Sequence, residues 1–223
     1  MQRVIQLTED GSPTIVVPDM HLSYHSRHGA VQESMHVFIN AGLQSLLNTK
    51  ETIYIFEMGF GTGLNTLLTL QQSIQKHQKI YYATAELFPL EEFIYSRLDY
   101  SKLLVDPSLP SYFMAMHNCK WEDEVNIHPL FTLYKSKIPL QDYSTDQLFD
   151  LIYFDAFDPA FQPELWSQEI FKKLFSILTP GGVLVTYSSK GNVRRAMQVA
   201  GFTVEKLKGP ARKREMVRAF KKD

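Results

Sequence analysis

Short apolar runs alternate with amphipathic segments along most of the chain. Strand-forming runs occupy 52–59, 79–86, 130–136, 149–157 and 182–189. Segments with apolar residues at helical spacing occupy 64–76, 89–104, 163–178 and 192–201. Strands that alternate with helices are typical of a mostly parallel sheet with helices on both faces. The sequence therefore predicts an α/β fold.

Two parts of the chain depart from this alternation. Residues 13–17 and 20–26 predict a short N-terminal β-hairpin, and residues 31–47 predict a helix after it. Residues 105–130 contain several prolines and scattered aromatic side chains. We therefore predict an irregular insertion there, over one edge of the sheet.

The chain closes with two segments, 202–209 and 214–220, that predict a hairpin. Its last strand would be antiparallel to the others and would complete a seven-stranded sheet. No linker or internal repeat divides the sequence, and 223 residues suit one domain with a sizeable core. We therefore expect a single domain over 1–223, with the N-terminal hairpin and helix in 1–50.

The composition favours a cytoplasmic protein. Apolar residues make up 44% and charged residues 21% of the chain, as in ordinary globular proteins. No apolar run approaches the roughly 18 residues that a membrane span requires, and the N-terminus lacks the features of a signal peptide. Cys119 is the only cysteine, and the seven histidines show no metal-ligand spacing. We expect neither an intrachain disulfide nor a metal site.

The segment "EMGFGTGLN" carries three closely spaced glycines, Gly59, Gly61 and Gly63, between a strand and a helix. Glycine inside an element costs about 0.5–1 kcal/mol relative to alanine, so the cluster predicts a backbone that turns tightly or passes close to a ligand. The helix N-terminus beyond it presents free N–H groups that suit a carboxylate or a phosphate. The spacing differs from the G-x-G-x-x-G of dinucleotide binders, which disfavours a nicotinamide-dependent oxidoreductase.

Two carboxylates follow other strands of the predicted sheet. Glu86 ends the strand at 79–86 and is placed to accept hydrogen bonds from two ribose hydroxyls of a nucleotide cofactor. Asp155 follows a buried apolar run, so we expect it at the carboxyl edge of the sheet, where it can hold or deprotonate a nucleophile. Asp158 precedes a proline and suits a turn or a helix N-cap.

Charge is distributed unevenly along the chain. From Lys190 onward, eleven basic residues stand against three acidic ones, a formal charge of +8 that leaves about −9 for the rest. If the next-to-last strand is parallel to the others, Arg212, Lys213 and Arg214 fall at the same edge of the sheet as Asp155. With Lys190 they predict a rim that binds phosphates, and a solvated charged terminus is the alternative.

Several separated motifs resemble one known family. The glycine loop, the acid at the end of the second strand and "LTPGGVLVTY" before a last hairpin resemble class I S-adenosylmethionine-dependent methyltransferases. Over nearly the whole chain, the motifs "GFGTGLN", "AELFPL", "DAFDPAFQPELW" and "GPARKREM" resemble the methyltransferase domains of MnmC-type tRNA-modifying enzymes. The segment "LSYHSRHGAVQESMHVF" is similar to the entry segment of that family.

The resemblance implies S-adenosyl-L-methionine as cofactor. The implied cofactor-binding residues are Glu57, Gly59, Gly61, Gly63, Asn65 and Glu86. The implied reaction is methyl transfer to the aminomethyl nitrogen on C5 of a tRNA wobble uridine, which gives 5-methylaminomethyl-(2-thio)uridine. Asp155 stands at the family's catalytic aspartate position, and Tyr24 and Glu33 stand at positions on the substrate side. The implied partner is tRNA, with a separate oxidoreductase or upstream tRNA-modification enzymes as further candidates.

Two departures from the family pattern limit these expectations. Bifunctional members carry a flavin-dependent oxidoreductase domain, and this sequence shows no second glycine-rich unit, so we expect methyl transfer alone. The family often has an acidic residue after the third strand that contacts adenine, whereas this sequence has Lys135 and Ser136. Adenine recognition is therefore expected to rest on backbone groups or on Asp142.

Two alternative functions stay open at this point. One is a methyltransferase of the same fold that acts on a small-molecule amine or another nucleophile, for which the basic rim would be dispensable. The other is a regulatory protein that holds the cofactor without catalysis, in which Asp155 would be dispensable.

Overall fold

An eight-stranded sheet forms the centre of the computed structural model, which describes residues 2–100 and 102–222. The strands of the described residues are β1 Val4–Leu7, β2 Pro13–Val17, β3 Leu22–Ser23, β4 Thr52–Met58, β5 Lys79–Ala85, β6 Glu124–His128, β7 Phe131–Ser136, β8 Phe149–Phe154, β9 Leu178–Thr186, β10 Thr203–Lys208 and β11 Glu215–Phe220. The large sheet has the order β10-β11-β9-β8-β4-β5-β7-β6, and β1, β2 and β3 form a separate antiparallel sheet.

Helices of varied length connect these strands. They are α1 Ala30–Ser34, α2 Leu64–Lys76, α3 Glu92–Tyr95, α4 Leu109–Asn118, α5 Gln168–Ser176 and α6 Gly191–Val199. A π-helical segment, Met35–Asn40, continues α1, and 3-10 turns cover Pro18–Met20, Leu43–Ser45 and Pro163–Trp166. Within the described ranges, no helix is long and apolar enough to cross a membrane.

Strand direction determines which loops meet. The five strands β9, β8, β4, β5 and β7 are parallel, whereas β6 and β11 are antiparallel to their neighbours. Because β11 is also antiparallel to β10, the strand β10 points the same way as β9. The carboxyl end of β10 therefore lies at the same edge of the sheet as the ends of β4, β5 and β8, as the rim prediction required.

The central strand β8 is buried along its whole length, because it pairs on both sides and is covered on both faces. Leu151 and Tyr153 pack into the apolar layer that contains α2, and Ile152 and Phe154 pack into the layer that contains α5. Burying each such side chain contributes about 1.5–3 kcal/mol. The strand is thereby held in place up to the point where Asp155 follows it.

The N-terminal predictions are confirmed in part. The hairpin predicted at 13–17 and 20–26 exists as β2 and β3, but β1 adds a third strand. The helix predicted at 31–47 begins as α1 and then widens into the π-helical segment. It ends before Gly42, where a Cβ would lie 2.6 Å from the Phe38 carbonyl oxygen, so only glycine allows this close approach.

Three predictions about the middle of the chain are wrong. The helix predicted at 89–104 is limited to α3. Later apolar residues of the segment, among them Leu98 and Leu104, are also buried, but they lie in turns. Ser101 lies outside the described residues. The irregular insertion predicted at 105–130 contains the helix α4 and the strand β6. Since β6 pairs with β7 at the edge, the sheet has eight strands where seven were predicted.

The helix α4 shows why proline was misleading. Pro110 lies in its first turn, where the missing N–H has no helical partner to lose. Leu109, Phe113 and Met116 lie at helical spacing along α4 and are buried against the rest of the core. This spacing is visible in the sequence, so a helix was predictable once the proline was assigned to its start.

Candidate active site

A first cavity of about 380 Å³ lies where β4, β5 and β8 end. Its wall includes the glycine loop that follows β4, Glu86 after β5 and Asp155 after β8. These segments are distant in sequence, and they meet because neighbouring parallel strands end at one edge of the sheet. The predicted cofactor residues that line this cavity are Glu57, Gly59, Gly61, Asn65 and Glu86, whereas Gly63 caps α2 beside it.

The glycine loop has a backbone that other residues rarely adopt. Gly59, Gly61 and Gly63 have φ angles of 85°, 51° and 74°, in the left-handed region that favours glycine. The Gly59 N–H donates to the Ala85 carbonyl oxygen at 3.0 Å, which ties the loop to the end of β5. The loop thus bends under the cavity and leads directly into α2.

Glu86 holds the other side of this loop. Its Oε2 accepts a hydrogen bond from the Gly61 N–H at 3.1 Å, and its Oε1 accepts one from the Phe88 N–H at 2.7 Å. Each carboxylate oxygen can accept a further hydrogen bond. Glu86 therefore fixes the loop while it keeps acceptor capacity for hydroxyl groups of a ligand.

Glu57 is a buried carboxyl group beneath the cavity, 1% exposed. Its Oε1 accepts from Asn65 Nδ2 at 2.9 Å, and its Oε2 accepts from Thr66 Oγ1 at 3.1 Å. Burial raises the pKa of Glu57 to about 8, so the group is mostly protonated at neutral pH. Glu57 therefore supports Asn65 and does not present a full charge to the cavity.

Asp155 lies one residue beyond β8 and shares the Asn65 amide with Glu57. Its Oδ2 accepts from Asn65 Nδ2 at 2.9 Å. Burial, followed by the nearby Glu33 carboxylate, raises the pKa of Asp155 to about 7, against the opposing effects of Asn65 and Lys213. A carboxyl group with such a pKa exchanges its proton near neutral pH, as a general base requires.

A second cavity, of about 210 Å³, adjoins the first at Asp155. Both cavities are lined by Tyr24, His25, Asp155, Ala156 and Phe157. The second is also bounded by Glu33, Phe161, Tyr187 and Lys213. Its wall therefore combines several aromatic rings with the carboxyl groups of Glu33, Asp155 and Asp158 and the ammonium group of Lys213.

The structure brings together some of the basic residues of the predicted rim and pairs them with acids. Lys213 forms an ion pair with Glu33 and lies 4.4 Å above the Tyr187 ring. Arg212 approaches Glu9 at 3.4 Å, and Lys190 approaches Asp158 at 2.6 Å. Arg214 is exposed in the same turn as Lys213. The Asp158 carboxylate also accepts from the Ala160 N–H at 2.8 Å, which fits its interpretation as a turn residue.

Several site residues were not selected from the sequence. Tyr187 comes one residue after β9, so the strand-end rule that identified Asp155 would also have found it. His25 and His117 both contact Thr62 of the glycine loop, at 3.4 Å to its hydroxyl and 3.1 Å to its carbonyl oxygen. Burial lowers the pKa of each histidine to about 4, so both are neutral here. No sequence spacing indicates these two contacts.

The side of the first cavity next to β7 is mainly apolar. Residues 138–141 line it there. Asp142 is the next residue, and it is not among the described residues that line this cavity. Lys135 is fully buried and donates to the Met116 and His117 carbonyl oxygens, so it anchors the end of α4. In the part of the chain that the structure describes, no group of His, Cys, Asp and Glu residues is arranged to hold a metal ion.

The raised pKa of Glu57 predicts a pH-dependent stability that Glu57→Gln removes. A carboxyl group with a pKa raised from 4.5 to about 8 stabilises the folded state below the unfolded pKa and loses this contribution as the pH rises through 8. The free energy of unfolding of Glu57→Gln, measured by urea denaturation, should therefore rise relative to the unmodified protein between pH 5 and 8. A constant difference over this range would show that Glu57 is ionised in the folded state.

Comparison with known proteins agrees with this geometry. Residues 102–222 match the model of a family described as S-adenosyl-L-methionine-dependent methyltransferases. The chain belongs to this methyltransferase family. The predicted cofactor, S-adenosyl-L-methionine, is confirmed by this membership.

The similar proteins include MnmC-type enzymes. The chain is 30% identical to the tRNA 5-methylaminomethyl-2-thiouridine biosynthesis bifunctional protein MnmC of Pseudoalteromonas atlantica, over 96% of the chain and 32% of that protein. It thus spans about a third of that relative's length. The crystal structure of MNMC2 from Aquifex aeolicus superposes with a TM-score of 0.81, at 24% identity, over 98% of this chain and 70% of that one.

A more distant structure shares the general fold. The S-adenosylmethionine-bound amino pentose methyltransferase CalS10 from Micromonospora echinaspora matches with a TM-score of 0.50 at 11% identity, over 87% of this chain and 93% of that one. Together with the MNMC2 match, this confirms the predicted class I methyltransferase fold. Its last strands are antiparallel, and a small antiparallel sheet precedes it.

The first cavity fits the methyltransferase cofactor. The left-handed glycines bring backbone against the cavity without side chains, and the N-terminus of α2 offers N–H groups to a carboxylate. Glu86 has acceptor capacity for ribose hydroxyls. Asn65 Oδ1 is buried without a partner among the described residues, which leaves one acceptor for a ligand donor. Bound S-adenosyl-L-methionine supplies an electrophilic methyl group.

Proposed function

We propose that this methyltransferase converts 5-aminomethyl-(2-thio)uridine at the wobble position of tRNA to 5-methylaminomethyl-(2-thio)uridine. The observation that carries the proposal is the meeting of the two cavities at Asp155. The first cavity would hold the methyl donor and the second the amine acceptor, with the carboxyl group between them. The similarity to the MnmC of Pseudoalteromonas atlantica supports this choice of acceptor.

Asp155 would act on the acceptor amine. A primary amine attacks a methyl group only when its nitrogen lone pair is free. The Asp155 carboxylate can accept a hydrogen bond from the amine and orient its lone pair toward the first cavity. It would take up the amine proton as the N–C bond forms and the methyl–sulfur bond breaks, with S-adenosylhomocysteine as the leaving group. Because Asn65 holds one oxygen of Asp155, the carboxylate would already be in position when the amine binds.

The wall of the second cavity suits a planar base. Tyr24 and Phe157 meet edge to face at 5.1 Å, and Tyr187 lies under the Lys213 ammonium group. Aromatic rings of this kind stack on unpaired bases, as proteins that recognise single-stranded RNA do. An anticodon wobble base is unpaired in free tRNA and can enter without opening a duplex.

The direct test is methyl transfer from labelled S-adenosyl-L-methionine to tRNA that carries the aminomethyl wobble group but lacks its N-methylation. We expect a labelled 5-methylaminomethyl nucleoside in the digested tRNA, identified by mass spectrometry. Already methylated tRNA serves as the matched control and should stay unlabelled. Absence of product, with cofactor binding intact by calorimetry, would contradict the tRNA proposal and favour a small-molecule amine.

The basic rim gives a second test of the tRNA partner. Replacing Arg212, Lys213 and Arg214 together by alanine should weaken tRNA binding and lower the slope of log affinity against log salt by about 2–3, since each lost phosphate contact removes about 0.7–0.9. Filter binding from 50 to 300 mM salt would measure the slope. The triple variant of the exposed lysines Lys76, Lys102 and Lys120 is the charge-matched control. Equal slopes for both triple variants would exclude the rim as the surface that binds the tRNA phosphates.

A small-molecule amine is the second candidate acceptor, because specific contacts favour it. Lys213, Arg212 and Lys190 each approach a carboxylate, which reduces the positive field available to a phosphate backbone. In a tRNA complex these cations would have to exchange their partners. If the rim variant binds tRNA as tightly as the unmodified protein and neither of them methylates it, the small-molecule acceptor gains support.

A further inference from the structure

Asn65 occupies a junction between the two halves of the site. It lies in the first turn of α2 and is 4% exposed. Its Nδ2 donates to Glu57 Oε1 and to Asp155 Oδ2, both at 2.9 Å. An amide nitrogen has two N–H groups, so both of its donors are committed to carboxyl oxygens.

These two bonds determine which way the amide faces. In the opposite orientation Oδ1 would lie against Glu57 Oε1 and Asp155 Oδ2, and above pH 7 the Asp155 carboxylate has no proton to donate to it. The observed orientation leaves Oδ1 buried and without a hydrogen-bond partner among the described residues. A buried acceptor of this kind destabilises the folded protein unless a ligand satisfies it. Asn65 lines the first cavity, so a ligand in that cavity can supply the donor.

The chemistry around Asn65 selects one donor of the cofactor. The N-terminus of α2 suits the carboxylate of the methionine portion, and the ammonium group is attached to the neighbouring carbon. The ribose hydroxyls belong near Glu86, at the end of a different strand.

We propose that Asn65 is a positioning residue that accepts a hydrogen bond from the α-ammonium group of S-adenosyl-L-methionine on Oδ1 while it fixes Asp155 through Nδ2. One amide then aligns the methyl donor and the group that orients the acceptor. The proposal rests on membership of the methyltransferase family and does not depend on which acceptor is methylated.

Cofactor binding tests the first part of the proposal, the hydrogen bond from the α-ammonium group to Asn65 Oδ1. The ligands are S-adenosylhomocysteine and its deamino analogue, in which hydrogen replaces the amino group, and the measurement is the dissociation constant by calorimetry. The unmodified protein should prefer S-adenosylhomocysteine by roughly ten- to a hundredfold, the range for a hydrogen bond to a charged group. Asn65→Leu, of similar volume, should bind both ligands within about threefold of each other.

Thr66→Val is the matched control, because Thr66 also donates to Glu57 but does not contact Asp155 in the described structure. It should keep the full preference for S-adenosylhomocysteine. A preference that survives in Asn65→Leu, or that is lost equally in Thr66→Val, would overturn the assignment. If Asn65→Leu does not fold, Asn65→Ser replaces it, since the serine side chain is too short to bridge Glu57 and Asp155.

Titration of Asp155 tests the second part of the proposal, that Asn65 fixes Asp155 through Nδ2, and it needs no methyl acceptor. The Asn65 hydrogen bond lowers the pKa of Asp155, so its removal should move the midpoint upward from about 7. Carboxyl ¹³C NMR of protein labelled at aspartate, with Asp155→Asn to assign the resonance, measures the midpoint. Thr66→Val should leave it unchanged. An unshifted midpoint in the Asn65 variants would show that Asn65 does not position Asp155.

Discussion

Asp155→Asn is expected to lower the rate of methyl transfer by about 10²–10⁴-fold, the usual contribution of a positioned general base. The substituted amide has nearly the same shape and can still accept from Asn65, so cofactor binding should change little. Single-turnover methylation of tRNA and calorimetry with S-adenosylhomocysteine measure the two quantities separately. Asp123→Asn, at an exposed residue paired with Lys120, is the matched control and should keep the full rate.

The pH dependence should identify the same group. Because Asp155 must be ionised to orient the amine, the rate should rise with pH through its pKa of about 7. Glu33→Gln should move this midpoint downward, since the Glu33 carboxylate contributes to the raised pKa. A rate of Asp155→Asn close to that of the unmodified protein would remove Asp155 from the mechanism and favour a protein that binds the cofactor for another purpose.

Gly59→Val is expected to lower the affinity for S-adenosylhomocysteine by at least about tenfold. A side chain there would occupy space next to the cavity, because the nearest other protein atom to a Cβ at Gly59 is the Asp155 carbonyl oxygen at 4.0 Å. A β-branched residue with φ near 85° is also strained, by about 1–3 kcal/mol. Both effects act on the loop that we propose to contact the cofactor.

Gly11 provides a matched control for the strain. Its φ is 82°, nothing lies within 4 Å of an added Cβ, and it is in the turn between β1 and β2. Gly11→Val should therefore lower the melting temperature about as much as Gly59→Val, without changing cofactor affinity. If both variants bind S-adenosylhomocysteine as the unmodified protein does, the glycine loop is a tight turn without a ligand.

Predictions that depend on local chemistry were the most accurate. The helix predicted at 64–76 is α2 with the same bounds, because the glycine at its start and its apolar spacing are both local signals. The strand run at 149–157 contains β8, whose apolar residues are buried on both faces. The glycine loop, Glu86 and Asp155 were selected by one rule, that ligands lie at the carboxyl ends of parallel strands, and the structure places them around one cavity.

Predictions that required knowledge of the elements packed against a segment were the weakest. Most of the segment 89–104, whose apolar spacing predicted a helix, lies outside α3, and the segment predicted to be irregular contains α4 and the edge strand β6. Local patterns record which residues are buried but not what covers them. The helix at 31–47 widened into π geometry for the same reason, because its packing against the sheet is a tertiary property.

The sequence by itself determined the class of fold, the glycine loop and the two acids at strand ends, because short-range periodicity and strand-end chemistry encode them. Only the tertiary structure decided that Glu33 and Lys213, 180 positions apart, close one wall of a second cavity. It also decided that Asn65 bridges Glu57 and Asp155. Contacts between distant residues follow from the order and direction of strands, which residue spacing along one chain does not specify.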